Sequence, residues 1–188
     1  LVGIKSVVAA VSGLGFVFVD VGFKACLRRS IVGVLYRLAL GKKNLKVIFQ
    51  NPDDRESLCR LAGIDKSETE LIRGSGIDLV KCAATPLAGG VPVVILAARL
   101  LRDKGVVEFL EAARLLRKQG YHARFCLVGS IDPDNPASLT LKELASIEAD
   151  GGLELWGHRF DMPTVLSGAT IVVLPSYREG LPKILLEA

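Results

Sequence analysis

Two carboxylates with seven residues between them, Glu179 and Glu187, flank a segment whose residue types suit the binding of an anion. Residues 171–174 form an apolar run that is typical of a strand buried on both faces. A polar loop follows, and Pro182 suits the first turn of a helix that continues from Lys183. Such a helix start presents unpaired N–H groups to an anion. Because carboxylates repel phosphate, we expect the glutamates to accept hydrogen bonds from hydroxyls of a ribose and a sugar ring.

A second pair of charged residues, Arg99 and Lys104, follows a predicted strand that ends at Ala97. The Arg99 guanidinium can form a forked pair with phosphate oxygens, and Lys104 adds a point charge at a predicted helix start. Together they could neutralise a diphosphate. Taken alone, they fit two surface cations equally well, just as the two glutamates fit a capped surface helix.

The composition excludes several classes of protein. Half of the 188 residues are hydrophobic, so the chain can form a sizeable core. The net charge of +4 is mild and aromatic residues make up only 6%, which argues against nucleic acid as the main ligand. The four cysteines lack metal or redox spacing and are predicted to be small hydrophobic residues in a reducing cytoplasm. With only two histidines, we predict no metal site.

Strands and helices are predicted to alternate along the chain, which indicates parallel, doubly wound sheets. Strands are predicted over residues 5–11, 46–50, 69–73, 91–97, 124–128, 153–156 and 171–174. Helices are predicted over residues 23–40, 52–62, 137–149 and 162–166, from an Asp103 cap to 118, and from 182 onward. The loop 81–92 holds two prolines and a glycine pair and is the best boundary, giving domains 1–84 and 85–188. In such sheets ligands bind beyond the carboxyl ends of the strands.

The helix predicted over residues 23–40 sets Arg28, Arg29 and Arg37 among apolar side chains. A basic amphipathic helix of this kind could lie on an anionic membrane surface. The interpretation favoured by the sequence is that it packs on the sheet with its arginines in water. No stretch is long and apolar enough to predict a membrane span.

These motifs resemble those of the large family of retaining glycosyltransferases with the two-domain GT-B fold, numbered four. The resemblance rests on the Glu-x7-Glu spacing of Glu179 and Glu187 and on the Ala-Arg-Leu element with its Lys-Gly, which holds Arg99 and Lys104. Further similar segments are Leu127-Val128-Gly129, Trp156-Gly157-His158-Arg159-Phe160 and Gly74-Ser75-Gly76-Ile77-Asp78, in which Ser75 replaces the usual Asn. The match runs over nearly the whole chain.

The resemblance implies a role for each of these residues. Arg99 and Lys104 would bind the donor diphosphate, together with N–H groups around Gly180, Leu181 and Pro182. Glu179 would accept from hydroxyls of the transferred sugar, and Glu187 from the ribose. Gly129 would lie under the nucleotide. The loop with His158 and Arg159 would contact the base through its backbone.

The implied reaction transfers a hexosyl group, with retention, from a nucleoside diphosphate sugar to a lipid-linked or polysaccharide acceptor. UDP is the expected nucleotide, and no cofactor or metal is expected because cations and the helix at Pro182 neutralise the diphosphate. Ser12-Gly13-Leu14-Gly15 and residues 49–54 look like segments of bacterial enzymes that assemble capsule, lipopolysaccharide or glycan-carrier sugars. The expected location is the cytoplasm, with peripheral contact to the inner face of the cell membrane.

Two alternatives remain open from the sequence. One is a GT-B-fold nucleotide-sugar epimerase, and the other is a non-catalytic nucleotide-sugar-binding or scaffold subunit. The chain starts without Met and stops inside a predicted helix, so we expect a fragment in which both domains are incomplete. The first would be the rear part of the acceptor-side domain, and the second most of the nucleotide-sugar domain. The fragment itself is expected to be inactive if its missing parts carry acceptor-side residues.

Overall fold

The computed structural model describes residues 5–14, 22–42, 44–87 and 89–188. Gly15, the last residue of the Ser12-Gly13-Leu14-Gly15 segment, lies outside these described residues. The chain divides into two compact units. The first contains residues 1–76 and 179–182, and the second contains residues 77–178 and 183–188. The division falls at Gly76, and the domain boundary predicted at residue 84 stays a prediction.

The first unit is a parallel sheet with helices in its connections. Its strands are β1 (Val7–Val11), β2 (Leu45–Phe49) and β3 (Thr69–Leu71), in the order β1-β2-β3. Helix α1 (Phe23–Leu40) joins β1 to β2, and α2 (Pro52–Ala62) joins β2 to β3. Asn51 caps α2 as the sequence predicts, because its side chain accepts a hydrogen bond from the backbone N–H of Asp54 at 2.7 Å.

Helix α1 is apolar on two opposite sides. One side carries Gly33, where an added Cβ would lie 2.7 Å from Cγ of Leu61 in α2, and Leu40, which is buried in the core. The other side presents Leu27, Ile31, Val34, Leu35 and Leu38, all more than half exposed. At 3.6 residues per turn these five side chains fall within an arc of roughly 100°. The sequence interpretation therefore accounts for only one side, and we call the other the exposed α1 stripe.

The second unit contains four parallel strands, β4 (Val93–Ala97), β5 (Arg124–Val128), β6 (Glu154–Gly157) and β7 (Ile171–Val172), in the order β6-β5-β4-β7. Its helices are α3 (Val106–Lys118), α4 (Leu141–Asp150), α5 (Met162–Ser167) and α6 (Lys183–Glu187). Side chains of β4 and β5 point alternately into two cores: Leu96 and Leu127 pack into one, and Ile95 and Cys126 into the other. Burial on both faces explains why these strands are almost continuously apolar.

Three local predictions for this unit were wrong. Asp103 does not cap α3; it lies in a 3-10 turn, Arg102–Lys104, and Gly105, with φ 74°, precedes the helix. Helix α4 begins later than predicted, after a capping box in which Thr140 and Glu143 bond each other. Strand β7 lies at the edge of the described sheet, and its Ile171 side chain is 51% exposed rather than buried.

Candidate functional site

Loops at the carboxyl ends of β4, β5 and β6 line a cleft of about 450 Å³ in the second unit. Four of the predicted site residues line it together: Arg99, Gly129, His158 and Arg159. The other lining residues are Ala97, Ala98, Val128, Ser130, Ile131, Asp132, Pro133, Met162 and Ile184. The cleft therefore lies where a parallel sheet is expected to bind its ligand.

Gly129 forms a backbone floor at this cleft. Its φ of 144° is unfavourable for residues with a side chain, and its N–H donates to the carbonyl of Gly157 at 2.8 Å. A Cβ at this position would lie only 1.9 Å from the carbonyl oxygen of Ala98. The ends of β4, β5 and β6 thus approach so closely that only glycine fits between them.

Arg99 already has a carboxylate partner inside the cleft. Its Nη1 donates to Oδ2 of Asp132 at 2.8 Å, and the two side chains are 62% and 28% exposed. Asp132 is a functional candidate that the sequence reasoning missed. Its signal was a carboxylate three residues after Gly129, in the loop that follows a buried strand.

The loops after β4 and β5 are joined by backbone hydrogen bonds. The N–H of Leu100 donates to the Ser130 carbonyl at 3.0 Å, and the N–H of Leu139 donates back to the Leu100 carbonyl at 2.9 Å. The N–H of Arg102 donates to the Ala137 carbonyl at 2.8 Å. These bonds fix the backbone on both sides of the Arg99–Asp132 pair.

A side-chain contact reinforces the same junction. The Arg102 guanidinium pairs with the carboxylate of Glu143 at the start of α4. The backbone N–H of Thr140, Arg102 and the Thr140 hydroxyl together lower the pKa of Glu143 to about 2. Glu143 therefore stays ionised, and able to pair with Arg102, to a lower pH than an ordinary glutamate.

The loop after β6 supplies His158 and Arg159. The exposed His158 ring lies edge-on to Phe160, with their centroids 4.6 Å apart. Arg159 donates two hydrogen bonds to Asp161, at 2.7 and 2.6 Å, and these bonds raise the pKa of Arg159 and lower that of Asp161. The charge of Arg159 is thus matched by Asp161, and the contact of this loop with the base through its backbone stays a prediction.

Lys104 is half buried at the end of the 3-10 turn and is not among the residues that line the cleft. The loop after β7 packs against this turn. The N–H of Tyr177 donates to the Asp103 carbonyl at 3.0 Å, and a Cβ at Gly105 would lie 2.5 Å from the Pro175 carbonyl oxygen. The predicted contact of Lys104 with a diphosphate stays a prediction.

The predicted Glu-x7-Glu segment is divided between the two units. Glu179, Gly180, Leu181 and Pro182 belong to the first unit, where the Glu179 carbonyl accepts from the Asn51 side chain at 3.5 Å. Glu187 belongs to the second unit and lines a separate cavity of about 560 Å³ with residues 77–87 and 163–169. Helix α6 has only five residues, so its dipole is small. The roles of these residues remain predictions.

The described part of the chain contains no group of three or more His, Cys, Asp or Glu side chains placed to hold a metal ion. It also contains no helix long and apolar enough to cross a membrane. Asp132 and Asp134 form an Asp-x-Asp sequence, but the Asp132 carboxylate is bound by Arg99.

The fold of this chain matches that of a solved structure. WaaG, described as a glycosyltransferase involved in lipopolysaccharide biosynthesis, matches 98% of this chain with a TM-score of 0.74. The match covers 55% of the WaaG chain at 15% sequence identity, so it shows the fold alone. The expected fold class, α/β of the GT-B type with parallel sheets, is confirmed.

The family follows from the sequence. The family model described as "Glycosyl transferases group 1" matches residues 91–188, and this chain belongs to that family. The resemblance drawn from the motifs is therefore confirmed.

Two curated relatives match nearly the whole chain. An N,N'-diacetylbacillosaminyl-diphospho-undecaprenol alpha-1,3-N-acetylgalactosaminyltransferase from Campylobacter jejuni subsp. jejuni serotype O:2 is 35% identical over 193 residues, covering 96% of this chain and 49% of the relative. A UDP-Gal:alpha-D-GlcNAc-diphosphoundecaprenol alpha-1,3-galactosyltransferase from Escherichia coli is 26% identical over 204 residues, covering 100% of this chain and 50% of the relative. The chain thus spans about half the length of these relatives.

Proposed function

We propose that this chain is part of a retaining glycosyltransferase that moves a hexosyl group from a UDP-sugar to a sugar carried on a lipid diphosphate. Two relatives support the acceptor class, because both are named for acceptors linked to diphosphoundecaprenol or diphospho-undecaprenol. The Escherichia coli relative is named for a UDP-linked donor. Retention is proposed from the resemblance of the Glu-x7-Glu motif.

The observation that carries this proposal is the cleft at the strand ends, with Arg99 exposed beside the glycine floor at Gly129. Glycosyl transfer requires stabilisation of the negative charge that develops on the departing diphosphate. A well-placed cation contributes about 2–4 kcal/mol to such a step. Arg99 and Lys104 would supply that stabilisation, Glu179 would bind the transferred sugar, and Glu187 would bind the ribose.

Calorimetric titration of the 188-residue chain with UDP, GDP and ADP tests the donor site. We expect UDP to bind more tightly than the other two nucleotides. A preference for GDP or ADP would change the donor but leave the reaction class. A folded chain that binds none of the three would contradict the donor-site assignment.

We also propose that the protein works at the inner face of the cell membrane, in peripheral contact with it. The exposed α1 stripe supports this location, because Arg28 and Arg37 lie on either side of it and α1 contains no acidic residue. An apolar stripe bordered by cations is the pattern of helices that lie in the interface of an anionic membrane. Access to such a surface suits an acceptor on a lipid carrier.

Co-sedimentation with vesicles tests this contact. We expect the chain to bind vesicles that contain anionic phosphatidylglycerol and to bind neutral phosphatidylcholine vesicles at least about tenfold more weakly. Leu35→Glu should abolish sedimentation. Leu79→Glu, at an apolar side chain that is 74% exposed in the second unit, is the matched control and should not. Equal loss in both variants, or equal binding to both lipids, would contradict the proposal.

A further inference from the structure

The Arg99–Asp132 ion pair has no assigned role in the motifs or in the family match. Asp132 places one carboxylate oxygen on one guanidinium nitrogen of Arg99, 2.8 Å away, inside the cleft. A carboxylate in a site for a diphosphate opposes the ligand electrostatically. Its presence therefore needs a reason that outweighs this repulsion.

Hydrogen bonds within its loop fix the main chain of Asp132, from which its carboxylate extends to Arg99. The Asp132 N–H donates to the hydroxyl of Ser138 at 2.9 Å, and its carbonyl accepts from the Asn135 N–H at 2.9 Å. The Asn135 side chain in turn accepts from the Ala137 N–H at 3.0 Å. Asp132 is therefore fixed within its own loop, whereas the Arg99 side chain is 62% exposed.

The ion pair with Asp132 leaves most N–H donors of the Arg99 guanidinium available to a ligand. Only Nη1 donates to Asp132 among the contacts described, and a guanidinium carries five N–H donors. The Nε and Nη2 groups lie along another edge of the same plane, and a forked contact with phosphate oxygens uses such an edge. An unpaired arginine side chain would lose rotamer freedom when it binds a ligand, which costs free energy. A carboxylate that already restrains the side chain removes part of this entropic cost.

We propose that Asp132 is a positioning residue that orients Arg99 for the donor diphosphate. This inference rests on the proposed function, since it names how that donor site is organised. Asp132 would affect the ligand only by orienting Arg99. Removing Asp132 should therefore change UDP binding only while Arg99 is present. The hydrogen bond from Arg99, rather than the negative charge of Asp132, is what orients the guanidinium. An amide oxygen at position 132 could accept the same hydrogen bond from Nη1.

The test compares UDP affinity by calorimetry in the unmodified 188-residue chain and in five variants: Asp132→Ala, Asp132→Asn, Arg99→Ala, Arg99→Ala combined with Asp132→Ala, and Asp134→Ala. Asp132→Ala should weaken UDP binding about tenfold, the size of one lost preorganised contact. Asp132→Asn should stay within about threefold of the unmodified chain, because it keeps the acceptor. In the Arg99→Ala background, Asp132→Ala should have no further effect. Asp134→Ala removes a carboxylate from the same loop that does not line the cleft, and it should bind UDP normally.

Each contrary result has a defined meaning. Tighter binding in both Asp132 variants would show that Asp132 competes with the ligand, and this would overturn the proposal. An equal loss in the Arg99→Ala background would show a merely structural role. A loss in Asp134→Ala that Mg²⁺ modulates would indicate a metal clamp at the Asp-x-Asp sequence instead.

A measurement without nucleotide separates this inference from the proposed function. The ¹⁵N relaxation of the Arg99 Nε–H group, assigned with Arg99→Lys, reports how fixed the guanidinium is. We expect it to be ordered in the unmodified chain and in Asp132→Asn, and mobile in Asp132→Ala. If Arg99 showed this pattern of order but the chain did not bind UDP, the proposed donor would be rejected and the positioning role of Asp132 would stand. An Arg99 group that is mobile in every variant would overturn the positioning role itself.

Discussion

Gly129→Ala is expected to destabilise the second unit severely and to abolish UDP binding. The added Cβ would lie 1.9 Å from a backbone oxygen of Ala98, which is no flexible side chain that can turn away. The φ of 144° adds conformational strain. The expected loss is at least about 4 kcal/mol in the free energy of unfolding, because the strand ends must separate. Urea denaturation followed by circular dichroism, with calorimetry of UDP binding, measures both effects.

Gly151→Ala is the matched control for Gly129→Ala. Gly151 also has a left-handed backbone, with φ 64°, but a Cβ there would meet nothing within 4 Å. Its expected cost is about 1–2 kcal/mol, from the backbone conformation alone. If the two alanine variants unfolded at the same urea concentration, the close approach at the cleft floor would not be what requires glycine.

Arg99→Ala is expected to weaken UDP binding by about 10- to 100-fold while leaving the fold intact. The side chain is 62% exposed and its ion pair is on the surface, so its loss should change the free energy of unfolding by less than about 1 kcal/mol. A hydrogen bond between charged groups is worth about 1.5–3 kcal/mol, which gives the expected range of affinity. Calorimetry with UDP and thermal unfolding of the same sample measure the two quantities.

Arg114→Ala provides a control of the same chemistry outside the cleft. Arg114 of α3 also donates to an aspartate, Asp150, at 3.0 Å, and is 45% exposed. The hydrogen bond that Arg114 donates to Asp150 raises the pKa of Arg114, and arginine side chains are always protonated in proteins. Its replacement should leave UDP affinity unchanged. Equal weakening by both replacements would mean that the net charge of the unit, and not the position of Arg99, determines nucleotide affinity.

The strands and their order of appearance could be predicted because their physical cause is local. Strands β4 and β5 are apolar at consecutive positions, since each side chain enters one of two cores. The start of α3 was missed because Asp103 has the residue type of a helix cap but lies in a 3-10 turn, with Gly105 just before the helix. Residue type alone does not distinguish these two positions.

The candidate site was predictable in part, for a different reason. Arg99, Gly129, His158 and Arg159 could be grouped because each follows a strand of one parallel sheet. Asp132 could have been placed at the same edge of the sheet, but its pairing with Arg99 could not be predicted, because it depends on the bonds that join the two loops. The sequence spacing could not show whether Glu179 and Glu187 bind one ligand. Seven intervening residues fix the distance between two side chains only if one straight helix holds both, and helix α6 begins only after Pro182.

The glycine floor separates what can vary at this cleft from what cannot. Its depth is set by main-chain atoms of Ala98, Gly129 and Gly157, which no single substitution can reshape without moving the strands. Under the proposed donor-site assignment, a change of nucleotide has to proceed through other lining residues, such as Ile131, Pro133 and His158. A directed-evolution library aimed at a new donor should randomise those walls and leave the floor untouched.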